Sequence, residues 1–246
     1  MLYVIADTHS DVKRANKLVK RACEEHGTAI GEGDVLLILG DVFGVQKSKG
    51  YNGYQKLLAD KEMLAWCETQ PFEVIALRGN HDGAKRLSLL GCERDEWNGQ
   101  ECLRVGRNLC YLDDGKVYEI PISPKKNIRA LILGGAFHHA ASMGGYSYMK
   151  RQSFAKRYFP LIYAVKKVDV DFVFSHDAPT SKLGVFRIIF GKTPANDVFE
   201  KILPHVSFSK WYYGHHHIDV ETADKFSCIY RRVIQITTRP RSKKKR

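Results

Sequence analysis

Within its first eighty residues the chain changes its hydrophobic period four times, and this alternation limits the folds open to it. Residues 2–6, 34–39 and 72–77 are short, largely apolar runs without strict polar alternation. Such runs are strands buried on both faces. Between the first two, residues 12–25 carry Val12, Ala15, Leu18, Val19 and Ala22 at helical spacing, with Lys and Arg on the other side. Residues 54–68 repeat the pattern, with Leu57, Leu58, Met63, Leu64 and Cys67 read as the inward set. Two successive strand–helix–strand units imply parallel strands joined by right-handed crossovers.

Further along, residues 102–105, 109–112 and 117–120 read as short strands, with a turn at Asp113 to Gly115. Residues 128–133 are another buried strand, followed by a Gly-rich loop over 134–146 and a helix over 147–166. Strands are expected at 170–174, 210–213, 228–231 and 233–236, and a helix at 195–203. No internal repeat or linker interrupts this series. The pattern predicts an α/β fold in one domain, residues 1–238, with two packed sheets flanked by helices, and a basic tail at 239–246.

Composition narrows the class. The 246 residues are 44% hydrophobic and 27% charged, as in globular chains, which excludes disordered, collagenous and coiled-coil classes. The longest apolar runs, such as 35–39, are far too short to span a bilayer. Residues 1–7 run straight into a strand, so no secretory leader and no membrane association are expected. Six cysteines (23, 67, 92, 102, 110, 228) form no C-x-x-C pair. Reduced thiols and a cytoplasmic location are the expectation. The net charge is +12, and six of the basic groups lie in residues 239–246, so the rest of the chain carries +6. That charge admits a polyanionic partner such as nucleic acid. The tail reads first as a solvated terminus and second as a contact for nucleic acid or an anionic surface.

The chemistry-bearing residues sit where the predicted strands end. The first strand runs into Asp7 and His9, the second into Gly40 and Asp41, and the third into Arg78, Gly79, Asn80, His81 and Asp82. His176 and Asp177 follow the strand at 170–174, and Gly214, His215, His216 and His217 follow that at 210–213. In α/β sheets the carboxyl edge is where ligands bind. Asp oxygen and His nitrogen suit borderline divalent ions such as Mn²⁺, Fe²⁺ and Zn²⁺, and a pair of ions about 3.5–4 Å apart needs a bridging carboxylate. Singly, Asp7 or Asp41 after a strand reads as a turn or cap, and His176 as a core histidine. His216, between two candidate ligands, is expected to point the other way.

Taken in order, Asp7-x-His9, Gly40-Asp41, Gly79-Asn80-His81-Asp82, His176 and Gly214-His215-x-His217 resemble the motifs of the calcineurin-like metallophosphoesterases. The resemblance implies a four-layer α-β-β-α fold and a dinuclear metal-dependent phosphoesterase acting on a phosphomonoester or phosphodiester through a hydroxide held between the metals. It implies one metal held by Asp7, His9 and His217, a second by Asn80, His176 and His215, and Asp41 bridging them. It places His81 beside the scissile bond as general acid, oriented by Asp82. It likens Arg78 to the phosphate-gripping arginine of the phosphoprotein-phosphatase branch, with a structural salt bridge as the alternative. The implied cofactor is a pair of divalent ions, Mn²⁺ first, with Fe or Zn²⁺ sharing the same ligands. Ser10 stands where the family often has Gly, and residues 40–44 lack the further Asp-Arg-Gly signature, which argues against a protein phosphatase. His138 and His139 fit no family position. Residues 46–54 follow Asp41 and are read as a cleft border or a solvated loop.

The expected partner is a phosphorylated small molecule or nucleotide-like substrate. The first rival is a nuclease acting on DNA or RNA, and the second is a non-catalytic metal-binding scaffold. A scaffold normally shows missing ligands, whereas all seven ligand positions and His81 are filled here. The sequence leaves oligomeric state open.

Overall fold

The protein is described from a computed structural model covering residues 1–45, 52–135, 167–184, 193–222 and 224–237. The expected Gly-rich loop beyond Gly135, the helix at 147–166, His138 and His139, most of the 46–54 stretch and the basic tail lie outside these residues.

The first half of the chain supplies strands β1 (Leu2–Ile5), β2 (Val35–Leu39), β3 (Glu73–Leu77), β4 (Cys92–Trp97), β5 (Gln100–Val105) and β6 (Leu109–Leu112). They are followed by β7 (Val117–Ser123), β8 (Lys126–Leu133), β9 (Val168–Asp169), β10 (Phe172–Ser175) and β11 (Val206–Ser207). The last are β12 (Lys210–Tyr213), β13 (Val220–Glu221), β14 (Phe226–Cys228) and β15 (Ile234–Ile236). The helices are α1 (Val12–His26), α2 (Gly53–Glu68), α3 (Ala84–Leu89) and α4 (Pro194–Ile202).

One sheet runs β15-β1-β2-β3-β6-β5-β4 and the other β13-β14-β12-β10-β8-β7, with β9 and β11 paired apart. The first has a parallel centre, β1-β2-β3-β6, and antiparallel margins. In the second, β14, β12, β10 and β8 are parallel, with β13 and β7 antiparallel outside them.

The uninterrupted apolar runs are explained by burial on both strand faces. Leu2, Val4, Leu37 and Leu39 pack between the sheets against Ile120, Ile132, Phe172 and Phe174. Tyr3, Ile5, Leu36 and Ile38 pack outward against Ala15, Leu18, Ala22, Met63 and Trp66 of α1 and α2. The second sheet turns Leu131, Val173, Trp211 and Tyr213 against Ala195, Phe199 and Ile202 of α4. These three interfaces make a helix–sheet–sheet–helix stack. Helix α1 starts at Asp11, whose side chain accepts the Arg14 N–H at 2.9 Å, and stops at left-handed Gly27. Helix α4 opens with a Thr193/Asn196 capping box and Pro194 in its first turn.

Two sequence expectations need correction. On α2, Leu58 is exposed and Asp60 is buried, because Asp60 has a set of buried polar partners that outweighs its own polarity. The strand expected at 228–231 is instead β14, ending at Cys228, because Asp219 captures the backbone N–H groups of Tyr230, Arg231 and Arg232 and bends the chain away.

Candidate metal centre

The two sheets present their carboxyl edges to the same place. From the first sheet come Asp7 and His9 after β1, Asp41 after β2, and Asn80 and His81 after β3. From the second come His176 after β10 and His215 and His217 after β12. The loops after β1 and β2 extend the pairing of their strands: Asp7, His9 and Ser10 donate backbone N–H to Gly40, Asp41 and Val42 at 3.2, 2.8 and 2.9 Å. Across the sheets, His176 Nδ1 donates to Leu39 O at 2.8 Å, and His215 N donates to the Asp7 carboxylate at 3.0 Å.

Backbone conformation marks these residues. Asp7, His9, Asp41, His215 and His217 all have φ between 50 and 69°, the left-handed region that non-glycine residues avoid. Each such residue costs roughly 1–3 kcal/mol and persists only where surrounding structure imposes it, commonly at functional sites. The tight turns aim alternate side chains of Asp7 and His9, and of His215 and His217, into one hollow. Glycine at position 79 is required by packing: a Cβ there would stand 2.0 Å from Asp41 Oδ1 and 2.3 Å from Asp41 N.

The donor atoms fall into two triads that share the hollow. Ligand atoms of Asp7, His9 and His217 lie within 4.8 Å of one another, as do those of Asp41, His176 and His215. Asn80 Oδ1 is 3.0 Å from His176 Nε2, which adds it to the second triad. Asp41 Oδ2 lies 3.5 Å from His176 Nε2 and 3.7 Å from His9 Nε2, so this carboxylate stands between the triads. A third group, His9, Asp41 and His81, meets the same distance limit.

The donor chemistry fits divalent cations. His9 Nδ1 donates to Gly44 O at 2.9 Å, and His176 Nδ1 likewise to Leu39 O. With Nδ1 holding the proton, each Nε2 turns a lone pair inward, the usual arrangement for a metal-ligating histidine. His9 Nε2 then faces His217 Nε2 at 3.0 Å, and His176 Nε2 faces Asn80 Oδ1. Converging lone pairs and buried Asp7 and Asp41 call for positive charge. Burial alone would raise the Asp41 carboxyl, but His176 and His81 beside it hold it well below the usual range. Burial would lower His176, yet Asp41 outweighs it and lifts the imidazole to about 10, so a cation bound here would take the place of the Nε2 proton. Burial pushes His215 down to about 4, so it is a neutral donor. Seven oxygen and nitrogen donors with this geometry suit two borderline divalent ions.

One catalytic expectation changes, and a second residue expected at the substrate has a structural partner. The Asp82 carboxylate accepts backbone N–H from Val42, Phe43 and Gly79 at 3.0–3.3 Å. It therefore ties the β2 and β3 loops together and does not hold the His81 ring. Burial raises it to about 6, with the Asp41 charge adding to the effect. Arg78 Nη2 meets the buried Asp114 carboxylate at 3.2 Å, and Asp114 also accepts Gly134 N at 2.9 Å. This is the structural salt bridge, bracing the end of β3 against that of β8. His216 lies on a bend beyond β12 and turns away from the hollow, with Nε2 3.0 Å from Asp177 Oδ1. Burial would raise Asp177, but the His216 bond and the nearby His215 hold it well below the usual range.

Sequence reading missed the polar support behind His9. Ser10 Oγ and Gly44 N both donate to Asp60 Oδ1, at 2.6 and 3.0 Å, and Arg86 binds Oδ2 at 2.5 Å. This network fixes the segment whose carbonyl orients the His9 ring. The sequence carries no distinctive signal for it, because Asp60 is one of several charged residues along α2.

No curated protein matches the chain. A solved structure described as a 5'-nucleotidase from Staphylococcus aureus, in complex with alpha-ketoglutarate, is similar at a TM-score of 0.46 and 13% identity. The similarity covers 94% of this chain and 49% of that one, so the chain spans about half its length. Residues 1–219, which include all seven donors, match the family described as calcineurin-like phosphoesterase, and the chain belongs to that family.

Proposed function

We propose that the protein is a dinuclear metal-dependent phosphoesterase that hydrolyses a phosphomonoester or phosphodiester of a small, nucleotide-like molecule. The supporting observation is the convergence of seven donors from both sheets, five of them in left-handed backbone. Asp7, His9 and His217 would hold one ion, Asn80, His176 and His215 the other, and Asp41 would serve both. Mn²⁺ is the first ion to test, with Fe and Zn²⁺ as competitors. Such a pair, when bound, supplies a nucleophile from water near neutral pH and offsets phosphate charge.

The chain's own groups do the rest. His81 stands at the mouth with its side chain 33% exposed, its Nε2 3.9 Å from Asp41 Oδ2. Its backbone N–H donates to Asp41 Oδ1 at 2.8 Å, so it also steadies the shared carboxylate. From there its imidazole delivers a proton to the leaving oxygen, a contribution of roughly 10²–10⁴-fold.

The test is turnover of p-nitrophenyl phosphate and bis(p-nitrophenyl) phosphate with Mn²⁺, alongside a count of bound ions. Asp41→Asn should lose both turnover and ions. His81→Ala should lose turnover and keep both ions, which separates a general acid from a ligand. Failure to hydrolyse either ester with Mn²⁺, Fe²⁺ or Zn²⁺ would sink the proposal. The net charge of +12 favours a nucleic-acid substrate as the second reading. In that case binding of an oligonucleotide weakens steeply with salt, and salt-insensitive, feeble binding removes it.

A further inference from the structure

Beyond the residues that match the family, the chain returns to the metal hollow with Tyr230. The Tyr230 ring stacks on His217, centroids 4.7 Å apart and planes within 18°. The opposite face of Tyr230 is covered by the Arg14 guanidinium, 3.8 Å from the ring centroid. Arg14 is itself fastened: Nε donates to Asp7 O at 3.1 Å, and Nη2 to Ala6 O at 3.1 Å and to Tyr230 O at 2.6 Å. The Tyr230 backbone is fixed independently. Its N–H donates to Asp219 Oδ1 at 2.8 Å, Arg231 and Arg232 donate to the same carboxylate, and Ile229 N donates to Tyr213 O at 2.9 Å.

A histidine donates to a metal along a lone pair that lies in the plane of its ring. A partner stacked on the ring face fixes that plane without competing for the nitrogen. His9 and His176 have their rings fixed by a carbonyl on Nδ1; at His217 the stacked Tyr230 ring, 4.7 Å away and within 18° of parallel, constrains the ring plane directly. The guanidinium on the far face polarises the stack and closes the sandwich.

We infer that Tyr230, clamped by Arg14, is a positioning residue for His217, and through it for the ion that Asp7, His9 and His217 would hold. This rests on the two-ion reading above. Supporting groups of this kind typically govern metal affinity by about 10–100-fold.

The experiment is Mn²⁺ titration of the full chain, followed by the electron paramagnetic resonance of unbound Mn²⁺, in the wild type, Tyr230→Leu and Tyr230→Phe. Circular dichroism of each chelated protein accompanies it. In Tyr230→Leu the affinity for one ion should fall about 10–100-fold while the second ion is held as in the wild type, and Tyr230→Phe, which keeps the ring, should restore the first. In the chelated proteins, ring-current displacement of the His217 proton resonances should be present in the wild type and Tyr230→Phe and absent in Tyr230→Leu. Two ions bound by Tyr230→Leu with wild-type affinity, an equal loss at both sites, or loss in Tyr230→Phe as deep as in Tyr230→Leu would overturn the inference. If Tyr230→Leu does not fold, Tyr230→Phe and the His217 resonances decide it. A wild type that binds fewer than two ions refutes the two-ion reading itself, an outcome visible without either variant.

Discussion

Placing a methyl group on Gly79 should disrupt the proposed centre without replacing any of its donors. The added Cβ would lie 2.0 Å from Asp41 Oδ1, 2.3 Å from Asp41 N and 2.7 Å from Asp41 Cγ. Carbon makes ordinary contacts at about 3.5–4.0 Å, so the overlap is roughly 1.5 Å. The carboxylate cannot simply swing aside. Oδ1 accepts His81 N at 2.8 Å, and the clash also involves the Asp41 backbone. The β2 and β3 loops must therefore separate, and Asp41 moves by an ångström or more. A displacement of about 1 Å in a catalytic constellation costs on the order of 100-fold, and overpacking of this kind costs about 1–3 kcal/mol of stability. Gly79→Ala should thus lower kcat/KM for p-nitrophenyl phosphate at least about 100-fold and weaken Mn²⁺ binding. The control is Gly53→Ala at the start of α2, where a Cβ meets nothing within 4 Å. That change should add about 0.4–1 kcal/mol of stability and leave turnover unchanged. Wild-type kcat/KM and wild-type ion binding in Gly79→Ala would refute the role given to Asp41.

Other changes test the supports around the ligands. Chelating Mn²⁺ present at 100 times its Kd removes about 2.7 kcal/mol for each bound ion, a fall in melting temperature of roughly 5–11 °C per ion for a chain of this size. Asp41→Asn should melt at one temperature with or without chelator, and a wild type indifferent to chelation would contradict the site. His216→Leu leaves the buried Asp177 carboxylate without its imidazole partner at 3.0 Å, at a cost of about 3–5 kcal/mol. Urea denaturation measures this, and a loss below about 1 kcal/mol would show the pair to be incidental. Asp60→Ala removes the acceptor of Ser10, Gly44 and Arg86. It should destabilise by a similar amount and slow turnover, because Gly44 carries the carbonyl that orients His9; full activity in a folded variant would separate that network from the site.

How much of this could be read from the sequence follows from where each residue's constraint arises. Buried parallel strands announce themselves because both faces must be apolar, and β1, β2, β3 and β8 were legible for that reason. Donors placed just after such strands were legible because a strand's end fixes where the next side chain stands. Strand β4 was not seen: its sequence from Cys92 to Trp97 is mostly charged and largely exposed. An edge strand needs no apolar face, and charge protects it from pairing with another chain. Asp60 was hidden because a carboxylate on a helix normally faces water, and only the fold shows that Ser10, Gly44 and Arg86 surround it. Asp82 and Arg78 were assigned by motif order. Their actual partners, three backbone N–H groups and Asp114, depend on loop spacing that no motif encodes. Tyr230 lay beyond reach for the same reason, since its partner Arg14 is 216 residues away.

The centre exists only where the two sheets meet. Neither proposed ion has all its donors on one sheet: Asp7 and His9 need His217 from the other side, and Asn80 needs His176 and His215. The inter-sheet core of Leu39, Leu77, Ile132 and Phe174 therefore does more than stabilise the fold. It sets the distance between two half-sites, each strained in the left-handed region and each holding charge away from water. The turns after β1 and β2 are held by bonds within the first sheet, and bonds from His176 to Leu39 O and from His215 N to Asp7 join them to the second. The protein's own hydrogen bonds hold this hollow from both sides. Under the proposed function, donors held from both sheets would meet the charge that develops on phosphate with little rearrangement.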